Sequence, residues 1–222
     1  MRSLPTIEVF QDLSFTAVDG DWIAVRDALI NKATGPWHHD TEMESRVVDA
    51  GVRSSNTMLA LRRDGDESIP AAVVTLFPEG HSGYKVTNIV PRETHALTER
   101  QYNAVLDDFI KRVVMSATPG CDVRLSKDRE SPRDWTSEEA ANALWMFSLA
   151  ANKSTGSAHP MDRERWMAFI VEHHRSGTDK LNPSLLARWL VEADDWPDDT
   201  AHDLAIEFES ATELLTYYDE HQ

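Results

Sequence analysis

A single cysteine, Cys121, serves all 222 residues, so no internal disulfide can form. The first residues, Met1-Arg2-Ser3-Leu4-Pro5-Thr6-Ile7, lack the apolar core of an export signal. One thiol and no export signal point to a reducing, cytoplasmic setting. Apolar runs such as Ala71-Ala72-Val73-Val74 are far shorter than the ~20 residues a membrane-crossing helix needs, so no membrane partner is expected. Familiar catalytic signatures are absent as well. There is no G-x-S-x-G elbow, no H-E-x-x-H, no P-loop, and no G-x-G-x-x-G after a strand pattern. These absences exclude the common hydrolase, zincin, nucleotide and dinucleotide designs, and no cofactor is expected.

Positive charge is scarce. Lys and Arg number 22 against 38 Asp and Glu, a net charge of −16. Free nucleic acid is therefore a poor partner, because its phosphates must be neutralised by Lys and Arg. The imbalance is uneven: residues 1–126 hold 13 basic and 18 acidic side chains, residues 127–222 hold 9 and 20. From Trp189 to Gln222 there are eleven carboxylates and neither Lys nor Arg. The same segment repeats apolar residues at helical spacing, so it reads as a folded acidic helix rather than a disordered tail. The apolar fraction of 41% is enough for a core.

The pattern along the chain predicts two domains. Residues 1–126 mix strands and helices. Ile7 to Phe10 is a weak first strand, Asp21 to Ala33 and Thr41 to Ala50 read as helices, and Thr57–Arg62, Ala71–Phe77 and Tyr84–Val90 form three strands with tight turns. Thr98 and Gln101 make a capping box that opens a helix carrying Val105, Leu106, Phe109 and Val113, and Cys121–Ser126 is a last strand. The fold class is α+β: a mixed or antiparallel sheet with helices on one face, followed by an all-helical domain. Residues 127–135 are the linker and 136–222 the acidic helical domain. Its last helix spans about Asp198 to Asp219, with Ala201, Leu204, Phe208, Ala211, Leu215 and Tyr218 on the buried seam.

Three groups of residues carry candidate chemistry. Trp37, His38, His39 and Asp40 form a polar cluster after Gly35-Pro36; adjacent His side chains diverge on a strand, and no zinc spacing fits, so no metal is expected. The loop holding Lys153, Ser154, Thr155, Ser157 and His159, with Arg163 beyond it, leads into a helix N-terminus where free N–H groups can hold an anion. Trp196, Asp198, Asp199, Glu209 and Glu213 are the candidates for contact with a partner. The leading expectation is a non-enzymatic protein whose acidic helical face engages a basic protein, in an inhibitor, immunity or antitoxin-like role. The alternative is an enzyme with a site between the two domains, and a third reading pairs the last helix with a second copy of the chain.

Overall fold

The computed structural model describes residues 4–49, 57–93, 96–153 and 159–221. By its internal contacts the chain divides into two units: residues 9–128, and residues 1–8 together with 129–222.

The first unit is built on six antiparallel strands: β2 (Leu13–Thr16), β3 (Trp37–His39), β4 (Leu59–Arg63), β5 (Ala72–Glu79), β6 (Gly83–Pro91) and β7 (Asp122–Leu125). Their order is β3-β4-β5-β6-β2-β7. Alternation decides the faces. Leu59 and Leu61, then Ala72, Val74 and Leu76, point into one core with Leu13, Phe15 and Tyr84. Helix α1 (Trp22–Lys32) adds Val25 and Leu29 to that core. Helix α3 (Glu99–Phe109) and the π turn after it, Ile110–Val114, add Val105, Leu106, Phe109 and Val113, and the turn runs on into the short helix α4 (Met115–Ala117). Thr98 caps α3 through the expected box with Gln101. The short helix α2 (Thr41–Asp49) packs Met43 and Val47 on the opposite sheet face, against Met58, Ala60 and Val73.

The register slips between Thr75 and Leu76: Asn88 faces Thr75, and Val86 faces Leu76. Thr87 is the extra residue of a bulge, and it lets Val86 and Ile89, three apart, share the buried face. Two strands here escaped the sequence reading. β2 alternates over only two pairs, and β3 is only three residues long, directly after Gly35-Pro36. Yet β2 holds the sheet together, pairing with β6 on one side and β7 on the other.

Among its described residues, the second unit is helical apart from loops and one small ladder. Strand β1 (Ile7–Glu8), expected in the first domain, pairs with β8 (Arg129–Glu130). The expected linker thus contains β8 and a one-turn helix, α5 (Pro132–Trp135). Four longer helices follow: α6 (Glu138–Ala150), α7 (Pro160–Ser176), α8 (Pro183–Glu192) and α9 (Asp198–Glu220). Ser137, His159 and Asn182 each accept a backbone N–H as N-caps of α6, α7 and α8. Gly177 ends α7 with φ of 62°, a left-handed conformation that suits glycine.

A run of aromatic rings forms the core of this unit. Trp196 meets Phe147 at 5.3 Å between centroids, Phe147 meets Trp166 at 4.9 Å, and Trp166 meets Phe169 at 5.2 Å. Phe169 then stacks on Phe208 at 5.6 Å. Leu144, Ile170, Leu186, Trp189, Leu190 and Leu204 are buried in the same unit. Trp189 Nε1 donates to the Pro5 carbonyl at 3.0 Å, which ties the N-terminal segment to α8.

Candidate functional site

Helix α9 is 23 residues long, about 35 Å at 1.5 Å per residue. Its inner side buries Ala201, Leu204, Ala205 and Phe208. Beyond Phe208 the burial fades: Ala211 and Leu215 are half-buried, and Tyr218, expected on the seam, is 59% exposed. The α9 seam therefore packs fully over its first half only.

The outward side combines two chemistries. Asp199, Asp203, Glu209, Glu213 and Glu220 are all exposed and form no ion pair among the described residues. Asp198 lies 3.6 Å from His202. The other two carboxylates of α9 are engaged, Glu207 with Arg163 and Asp219 with His174. The helix has no Lys or Arg at all. Among these carboxylates stand Ile206, Leu214, Tyr217 and Tyr218, each about 60% exposed. Sequence reasoning missed these four as surface residues. The signal was available at Ile206, Leu214 and Tyr217, which fall off the buried repeat.

The other partner-contact candidates divide. Asp198 and Asp199 are exposed at the start of α9, as are Glu209 and Glu213 further along. Trp196 is not on the surface: it is 2% exposed, and its Nε1 donates to Ser148 Oγ at 2.8 Å and Asp194 Oδ2 at 2.9 Å. It is a core residue, because stacking on Phe147 and two indole hydrogen bonds satisfy it completely.

The anion-loop candidates meet partners inside the protein. Lys153 bonds the carbonyl of Asp194, and its Nζ lies 3.2 Å from the Asp194 carboxylate and 5.8 Å from the Trp196 ring centre. His159 accepts the Met161 N–H at 3.2 Å, and Arg163 makes a two-pronged pair with Glu207. Ser154, Thr155 and Ser157 lie outside the described residues.

The Trp37–Asp40 cluster is spread over a strand end. Trp37 is fully buried, and its Nε1 donates to Asp108 at 2.9 Å. His38 turns to Asp64 at 3.0 Å. His39 turns the other way, to Glu44 at 2.9 Å, and Glu44 also accepts from Arg26 at 2.7 Å. Asp40 caps α2 by accepting the Met43 N–H. The two imidazoles thus diverge, as strand geometry requires. No group of three or more His, Cys, Asp or Glu side chains is placed to hold a metal among the described residues.

Asp108 and His173 are among the buried titratable groups. Burial alone would raise Asp108, but hydrogen bonds from Arg63, Arg112 and Trp37 outweigh it and hold the carboxyl below its usual range. Burial, and then the neighbouring His174, push His173 down, and its Nδ1 meets Thr136 Oγ1 at 2.9 Å. No helix among the described residues is long and apolar enough to cross a membrane. No protein-family model, curated protein or solved structure matches the chain.

Proposed function

We propose that the protein binds a basic protein partner through the exposed side of α9 and performs no chemistry of its own, in the manner of an inhibitor, immunity protein or antitoxin. One observation carries this reading: solvent-facing carboxylates that form no ion pair among the described residues surround apolar side chains that are about 60% exposed. Like charges this close repel one another, and a basic surface relieves the repulsion. Exposed aromatic and aliphatic side chains within the same face supply the desolvated contacts that hold a complex together once it forms. The carboxylates act earlier, by steering the encounter.

The test begins with capture from the native cell at low salt, using the intact protein, followed by purification of the retained partner. Its association rate is then measured by stopped flow from low to high ionic strength. The rate is expected to fall by about tenfold or more as salt rises, and again in a Glu209→Lys/Glu213→Lys double variant. Thermal stability should stay within a few degrees of the parent, because both positions face solvent. An association rate indifferent to salt and to both substitutions would remove the acidic face from the reading.

A further inference from the structure

Two depressions run along one side of α9. The first, about 390 Å³, lies between α8 and α9, with Ala187, Val191, Ala205 and Ile206 making it largely apolar. The second, about 420 Å³, opens where α8 begins, and Glu209, Thr212 and Thr216 of α9 line it opposite Asp179 and the end of α7. Pro183 lines both, so the two depressions adjoin, and together they are called the groove.

The α9 residues on this groove are Asp198, His202, Ala205 and Ile206 in the first depression, then Phe208, Glu209, Thr212 and Thr216 in the second. Among them Asp198, His202, Ala205, Glu209, Thr212 and Thr216 alternate four and three. That alternation marks one continuous side of a helix, the side a second helix covers when it lies nearly parallel. From Asp198 to Thr216 the groove extends about 27 Å, the length of a five-turn helix. Pockets in this size range bury side chains well.

Charge says what kind of helix fits. Arg188 is the only Lys or Arg on the described lining, and it is already held by Glu192 at 3.0 Å and by the Glu8 carbonyl at 3.0 Å. Asp179, Asp198 and Glu209 face the groove without a Lys or Arg partner among the described residues. The hydroxyls of Thr212 and Thr216 donate to their own helix, leaving only oxygen lone pairs for an occupant. The lining is therefore apolar at one end and rich in acceptors at the other.

We infer that this groove is the seat of a basic amphipathic helix from the partner protein. Its apolar residues enter between α8 and α9, and its Lys or Arg side chains reach the Glu209–Thr216 end. The inference rests on the proposed binding of a basic partner and adds the element that is recognised and where it lies.

Two synthetic peptides of about 18 residues test it, with the same Leu and Lys content. In one, Leu falls on a single helical face; in the other, the same residues are scrambled around the helix. Binding to the intact protein is followed by fluorescence anisotropy at low salt. The amphipathic peptide is expected to bind at least about tenfold more tightly. Ile206→Lys, inside the groove, should abolish that preference. Met146→Lys makes the same charge change on α6, away from α9 and from the groove, and should leave most of it. Both positions are exposed, and melting curves verify that each variant folds. Equal binding of the two peptides, or equal losses in the two variants, would overturn the groove while leaving the acidic-face reading to its salt dependence. Failure of both peptides to bind would overturn it as well.

Discussion

Arg63 enters the interior of the sheet unit with 1% of its surface exposed, and its guanidinium is tolerated there because every side of it is answered. Nε donates to Asp108 at 2.9 Å, Nη2 to Asp66 at 2.6 Å, and Nη1 to the carbonyls of Asp64 and Ile69 at 2.8 and 3.0 Å. Asp108 also accepts from Trp37 and from Arg112, so one carboxylate joins β3, β4 and α3. Removing it leaves a buried cation short of its partner. Asp108→Ala is expected to cost about 3–5 kcal/mol at neutral pH, read by chemical denaturation. The pH dependence has a definite sign. The folded carboxyl lies below its ordinary value of 3.8, so its contribution is fully present above that pH and fades as pH falls through it. The gap between parent and variant should therefore narrow below about pH 4. A gap that stays constant, or a cost under about 1 kcal/mol, would show that Arg63 finds other support.

At the scale of elements, α9 is two helices in energetic terms. Its first half is locked by Leu204 and Phe208, while its second half carries the same stripe into partial exposure. Phe208→Ala should cost about 3–5 kcal/mol, because it empties the space under Phe169 and His173. Leu215→Ala, on the same stripe two turns later, should cost under about 1 kcal/mol. Equal losses in denaturant would mean that the outer half is packed after all. The contrast also marks how far sequence goes. Capping boxes and three-four spacing are local, so α3 was legible, as was the buried side of α9 up to Phe208. Whether a stripe is covered depends on what else reaches it, and spacing carries no such information. The same limit hid β2 and β3, whose pairing comes from distant strands. Leu214 and Tyr217 fall off the buried repeat and were legible by the same spacing, but only the packing shows that nothing among the described residues covers them.

For the molecule as a whole, the connectivity is an insertion. Residues 9–128 interrupt the helical unit between β1 and β8, and the two ends of the insertion meet, with Val9 N–H donating to the Asp128 carbonyl at 3.0 Å. On the helical side Glu8 faces Arg129 in register, which is the geometry of a hairpin whose loop happens to be an entire unit. Leu4 and Ile7 are buried at 6% and 2% exposure, and each contributes about 1.5–3 kcal/mol by leaving water. A fragment of residues 129–222 lacks both, together with the acceptor for Trp189 Nε1. Joining Glu8 to Arg129 through Asn-Gly, a two-residue loop suited to antiparallel strands, should restore them. The joined chain is expected to unfold cooperatively and to be at least about 2 kcal/mol more stable than residues 129–222 alone. For a unit of this size that is roughly 8–16 °C in melting temperature. Residues 9–128, expressed separately, should fold with their own core. If the short fragment matched the joined one in stability, residues 1–8 would be an ornament on the helical unit, and the chain would divide near residue 128 as two consecutive domains.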